Sequence, residues 1–219
     1  MTPLGIFGGT FDPIHFGHLR MAEELRMELE LEQVRFIPSA LPPHRDQPRA
    51  SAQDRAAMVA LAIAGNPCFA LDRRELERDA PSYTVESLLE LRGEFGAEIP
   101  LMLFIGSDAF FGLPGWHRWR ELPALAHIVV ACRPGAELRE AALAPELQTL
   151  WRQCKTELVA DLQTAPAGKI LWRAITGLDI ASSRIREAYA WKISTRYLLP
   201  EAVRDYIETH HLYQEKHGI

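Results

Sequence analysis

Five short stretches of the chain are apolar with little interruption: Leu4 to Phe7, Val34 to Ile37, Leu101 to Ile105, Ile128 to Ala131 and Ile170 to Ile175. Runs of this length read as strands buried on both faces. The segments between them have helical spacing instead. After Gly17, residues Ala22, Leu25 and Leu29 fall on one face, with Glu and Arg on the other. Similar patterns run over about 51–64 and 84–95. Strands alternating with helices predict βαβ units and an α/β, doubly wound, mainly parallel sheet covered on both faces. Ligands of such sheets bind at the carboxyl ends of the strands, so the loops there are where chemistry is expected. From Arg133 to Gly168 the pattern is broken by Pro134, Gly135, Pro145 and Pro166. Beyond Asp179 two further helices are expected, Ser183 to Lys192 and Pro200 to Thr209. The second has Pro200 at N1 and an apolar face of Val203, Tyr206 and Ile207.

Composition narrows this picture. A chain of 219 residues, 47% hydrophobic, fits one domain over 1–219, with about 179–219 as a C-terminal helical subregion, better than it fits two. With 24 basic and 29 acidic residues, it lacks the basic excess of a protein that grips a nucleic-acid backbone. A small anionic ligand needs only a few well-placed cations and remains compatible. Cys68, Cys132 and Cys154 are scattered, which argues against a disulfide framework or zinc and suits a reducing compartment. Glycines arrive before any apolar stretch long enough for a signal peptide, and no run reaches the length of a membrane span. The expected location is cytoplasmic, with no membrane or nucleic-acid partner.

The candidate chemistry begins in GGTFDPIHFGH, between the first strand and the first helix. Gly8 and Gly9 let backbone approach a ligand, and a helix N-terminus offers N–H groups to an anion. No Gly-Lys-Ser/Thr follows, and the glycine spacing is wrong for a dinucleotide fingerprint. His15 and His18, three apart around Gly17, would share one side of the first turn. Packing glycines, a metal-binding pair and two surface histidines are the competing readings, but no third ligand stands at convincing spacing.

Four other segments carry chemistry of their own. In DIASSRIREAYAWK, Ser182 and Ser183 are N-cap candidates, followed by Arg184 and Arg186 in a first turn whose dipole disfavours cations. Either solvent or a bound phosphate balances those charges. Asp108, closing IGSD after Gly106, can accept ribose hydroxyls or cap a helix. His44 and Arg45 follow two stiffening prolines in a loop that is otherwise simply charged and exposed. Trp116 and His117 follow LPG; a Trp there is a core plug or a platform for an aromatic ligand. In PSYT, Ser82 or Thr84 caps a helix, or its N–H groups seat a carboxylate.

GGTFDPIHFGH resembles the signature of the HxGH nucleotidyltransferases, whose Rossmann-like fold is related to the catalytic domain of class I aminoacyl-tRNA synthetases. Within that group the resemblance runs over nearly the full chain toward the bacterial nicotinate-mononucleotide adenylyltransferases. It implies transfer of the adenylyl group of ATP to nicotinate mononucleotide, giving nicotinate adenine dinucleotide and pyrophosphate on the route to NAD. It further implies His18, His15 and Arg186 as catalytic residues and Mg²⁺ accompanying ATP. The ATP and phosphate contacts implied are Gly8, Gly9, Thr10, Phe11, His44, Arg45, Gly106, Asp108, Ser182 and Ser183. Tyr83, Thr84, Trp116 and His117 would receive the nicotinate nucleotide. The C-terminal run is similar to the family's ISSTxIR motif, with Ala181 at a usual Ser and Ser183 at a usual Thr. Three other readings fit less well. A phosphopantetheine adenylyltransferase is disfavoured by PPHR, Trp116 and the arginine motif, and a tRNA synthetase by length, acidity and the lack of a Lys-rich loop. A regulator without turnover is disfavoured by the intact histidines and Arg186.

Overall fold

The computed structural model describes residues 2–41, 47–78 and 80–214. Seven strands form one sheet in the order β3-β2-β1-β4-β5-β7-β6. They are β1 (Leu4–Gly9), β2 (Gln33–Pro38), β3 (Phe69–Leu71), β4 (Leu101–Gly106), β5 (His127–Cys132), β6 (Lys155–Thr156) and β7 (Ile170–Ala174). Every neighbouring pair is parallel. The helices are α1 (Phe16–Glu28), α2 (Ala52–Ile63), α3 (Thr84–Phe95), α4 (Ser107–Phe111), α5 (Leu122–Leu125), α6 (Pro145–Cys154), α7 (Ala160–Gln163), α8 (Ser182–Ala190) and α9 (Glu201–Thr209).

Alternation along the central strands explains the layering. Phe7, Met102, Phe104 and Val129 face one side, where they join Ala22 and Leu25 of α1, Met58 and Val59 of α2, Ile185 of α8 and Val203 and Ile207 of α9. Leu4, Ile6, Leu103, Ile105, Ile128 and Val130 face the other, with Val85, Leu88 and Leu91 of α3, Phe110 of α4 and Leu147 of α6. A period of two thus divides each strand between two cores, as the near-continuous apolar runs predict.

The strand order reverses direction between β1 and β4, so the connections leaving these two strands diverge to opposite sides. That gap at the carboxyl edge is the topological switch point, where a doubly wound sheet binds ligands. Gly8 and Gly9 end β1 there, and Gly106 ends β4.

The differences from the sequence reading lie mostly at edges. β3 and β6 were not expected; three and two residues are too short for a period to register. α8 ends at Ala190 rather than Lys192, which has a left-handed φ of 56°. Pro200 is the N-cap of α9, not its N1 residue. α6 and α7 lie within the broken stretch. Among the described residues no helix is long and apolar enough to cross a membrane.

Candidate active site

The turn from β1 to α1 is shaped by its aromatic and glycine positions. Phe11 has a left-handed φ of 49° and sends its ring into the core, edge-on to Phe7 at a centroid distance of 5.4 Å. Only its backbone can face a ligand. A Cβ on Gly9 would stand 3.0 Å from that ring, whereas one on Gly8 would meet nothing within 4 Å. Gly9 is therefore required by packing, and Gly8 leaves open space in front of the loop. Gly106 is similarly open.

His15 is the N-cap of α1 and His18 its N3 residue. Their rings stack at 3.8 Å between centroids and 23° between planes. The expected shared side is thus an actual face-to-face contact. His18 Nδ1 accepts the backbone N–H of His15 at 3.3 Å, which leaves Nε2 as its protonated nitrogen. Phe11 packs edge-on to the His18 ring at 5.2 Å and holds it from behind. His15 is 5% exposed, its Nδ1 is buried without a hydrogen-bond partner, and burial pulls its imidazole down to about 4. It is neutral at pH 7. The ring folds back over Gly17, where a Cβ would stand 3.0 Å from both Cε1 and Nδ1.

The start of α8 docks on the same turn. Ser182 Oγ donates to the Pro13 carbonyl at 2.9 Å, and Arg186 Nη1 donates to the Asp12 carbonyl at 2.7 Å. The N-cap is Ala181, without a side-chain cap, so Ser182 and Ser183 are N1 and N2 rather than caps. Serines at N1 and N2 add hydroxyls beside free helical N–H groups, which a single N-cap would not. Arg184 lies in the first turn and reaches Asp179 at 3.6 Å, whereas Arg186 begins the second turn. Neither α1 nor α8 has an acidic residue in its first turn. The two positive helix ends thus carry no acid of their own and meet across Asp12 and Pro13.

On the other side of β4, Asp108 is exposed, and its carboxylate accepts no hydrogen bond among the described residues. Gly106, not Asp108, occupies the N-cap of α4. Tyr83 is the N-cap of α3, again without a side-chain cap, and Thr84 is N1. Ser82 is engaged by a neighbouring loop instead, where its Oγ accepts the N–H groups of Ala40 and Leu41 at 2.9 and 3.2 Å. The His117 ring stacks on Tyr83 at 4.2 Å and 30°. Trp116 is half-buried against the α3-side core, while Trp119 is the core plug at 6% exposure. His44 and Arg45 lie outside the described residues.

The sequence reading missed Asp12, Arg55 and Tyr213 as site-building residues. Arg55 is 1% exposed, and its guanidinium donates to the carbonyls of Thr10 at 2.6 Å, Ala40 at 3.3 Å and Ala50 at 3.3 Å. It ties the turn after β1 to the segment between β2 and α2. One signal was available: Arg55, Met58, Val59 and Ile63 share the buried face of α2, and an arginine at such spacing needs internal acceptors.

Residues 6–188 match the cytidylyltransferase-like family. A probable nicotinate-nucleotide adenylyltransferase of Dechloromonas aromatica is 50% identical over 97% of this chain and 98% of its own length. One of Halorhodospira halophila is 49% identical over 93% and 92%. The chain belongs to the nicotinate-nucleotide adenylyltransferase family. The fold is also that of a solved Plasmodium falciparum nicotinic acid mononucleotide adenylyltransferase complexed with NaAD. That structure has a TM-score of 0.72 at 15% identity and covers 99% of both chains. Members of this nucleotidyltransferase family serve NAD biosynthesis, and two helix ends without first-turn acids suit the polyphosphate chemistry of that group.

Proposed function

We infer that the protein joins nicotinate mononucleotide to the adenylyl group of ATP, forming nicotinate adenine dinucleotide and releasing pyrophosphate. The observation that carries this reading is the meeting of α1 and α8. Two helix N-termini without first-turn acids, a stacked histidine pair and Arg186 converge on one turn.

The nucleophile is a phosphate oxygen of nicotinate mononucleotide, ionised at pH 7, so no strong base is needed. Its bond to the α-phosphorus of ATP forms as the bond from that phosphorus to the pyrophosphate oxygen breaks, and no covalent enzyme intermediate intervenes. Charge accumulates on the equatorial oxygens, so catalysis is positioning plus electrostatic stabilisation. The Nε2–H of His18 and the guanidinium of Arg186 supply donors to that charge. Neutral His15 orients His18 and the phosphates without adding a charge. Gly8, Gly9, Thr10, the Phe11 backbone, Ser182 and Ser183 line the triphosphate path, and Asp108 with Gly106 takes the ribose. Among the described residues no group of three or more His, Cys, Asp or Glu could hold a metal. Mg²⁺ accompanying ATP would neutralise the polyphosphate.

Thr84, Tyr83, Trp116 and His117 receive the pyridine nucleotide, with its carboxylate toward the start of α3. A carboxamide placed there would turn an NH₂ toward N–H donors and leave it unpaired, at about 1–3 kcal/mol. The test is kcat/KM, read by pyrophosphate release, for nicotinate and nicotinamide mononucleotides on one preparation. A preference for nicotinate of roughly ten- to hundredfold or more is expected. Equal values would remove the carboxylate seat, and no release with either would remove the function.

A further inference from the structure

We propose that Tyr213, near the carboxyl end of the chain, is a positioning residue that acts through Asp12 to set the Arg186 guanidinium. The proposal rests on the adenylyl-transfer reading above. Asp12 lies in the signature turn and is 5% exposed. Its Oδ1 accepts the Tyr213 hydroxyl at 2.6 Å and the Ala50 N–H at 3.2 Å, and its Oδ2 accepts the Arg49 N–H at 2.9 Å. Arg186 Nη1 stands 3.7 Å from Oδ2 while donating to the carbonyl of the same residue. One buried carboxylate thereby joins the signature turn, the segment entering α2, the start of α8 and the C-terminal turn.

The geometry makes the hydroxyl consequential. Arg186 Nε is buried with no hydrogen-bond partner, so the guanidinium is held from the Nη1 side. Its direction therefore depends on where Asp12 stands. Arg55, on the opposite flank, also attracts this carboxylate. The tyrosine hydroxyl holds Oδ1 between the two cations. Without that donor Oδ1 keeps only the longer Ala50 contact, and the carboxylate can shift about its Arg49 bond toward either arginine and draw the Arg186 guanidinium out of line with the phosphates. Tyr213 is itself fixed, at 7% exposure with a left-handed φ of 63°. Burial and the adjacent Asp12 push its hydroxyl far above the usual tyrosine range, so it stays a donor at every working pH. The effect should fall on turnover rather than on the nicotinate seat, which lies beyond β4 at α3.

Tyr213→Phe removes only the hydroxyl. The experiment measures pyrophosphate release with ATP and nicotinate mononucleotide for wild type, Tyr213→Phe, Arg186→Ala and the double variant. Losing one hydrogen bond to a charged group should lower kcat about tenfold, with KM for nicotinate mononucleotide moving by less than about twofold. In the Arg186→Ala background, the same change should alter kcat by less than about twofold. Equal losses in both backgrounds would make Tyr213 a support of the fold at large and overturn the proposal. So would full activity of Tyr213→Phe or of Arg186→Ala. A wild-type protein inert with this substrate pair would instead remove the functional reading itself, and the proposal with it.

Discussion

His15 and His18 touch ring to ring, yet burial separates their chemistry. His15 is the buried, neutral member, and His18 is half-buried with its proton on Nε2. Under the proposed function the transition-state contact is therefore assigned to His18. His18→Ala should leave the thermal midpoint nearly unchanged and lower kcat by roughly 10²- to 10³-fold, the usual loss for one such donor. Turnover within a few-fold of wild type would assign that donor elsewhere. Both histidines were legible in the sequence because motif, spacing and helix start lie within eleven consecutive residues. Asp12 stood in the same string but gave no sign of its partners. Tyr213, which donates to it, is 201 positions away, and only the fold brings the two together. Arg55 is an intermediate case, since its spacing marked the apolar face of α2 but not the three carbonyls it would reach.

At the level of elements, the signature turn depends on how α1 begins. Gly17 is its N2 residue, where alanine would ordinarily be the better helix former by up to about 1 kcal/mol. Here the added Cβ would meet the His15 ring at 3.0 Å and displace it from its stack on His18. Gly17→Ala should therefore keep or slightly raise thermal stability while lowering kcat by about tenfold or more, because small misplacements at a reacting centre are costly. Full activity together with higher stability would mean that the histidine stack has slack. The five long strands were legible because each carries at least four residues that are apolar with little interruption, and the helices around them because their apolar positions repeat at helical spacing. β3 and β6 were not, since edge strands of two or three residues take their conformation from their neighbours. The caps were the other difference. α3, α4 and α8 begin without a side-chain cap, and α1 is closed only by its own histidine pair. Sequence rules expect such ends to be filled by Ser, Thr or Asp, and leaving them open favours an incoming anion.

For the whole molecule, a buried neutral histidine in the site makes global stability depend on pH. The His15 imidazole sits near 6.5 in the unfolded chain and is pulled to about 4 in the fold. Between those values the unfolded state binds a proton that the native state refuses. Stability is thus complete above about pH 6.5 and is lost as pH falls toward 4. His127 acts in the same direction from the amino end of β5. It is buried there with Nε2 donating to the Ala165 carbonyl at 2.8 Å and Nδ1 accepting the Lys169 N–H at 3.1 Å. Glu75 has the opposite sign: burial raises its carboxyl, so its protonation on acidification favours the fold. Hydrogen bonds from neighbouring groups hold Glu23, Glu24 and Asp72 low, and their contribution is lost as pH falls through the ordinary carboxylate range and below it. The histidine effect is therefore largest relative to these carboxylates above about pH 5. From its shift to about 4, His15 should account for about 2 kcal/mol of the loss in unfolding free energy between pH 7.5 and pH 5. Urea unfolding of wild type and His15→Gln at both pH values measures that share, since glutamine does not titrate. The variant should be markedly less acid-sensitive than wild type, whatever its stability at pH 7.5. If both proteins lose the same free energy, His15 is protonated within the fold and brings a positive charge to the phosphates.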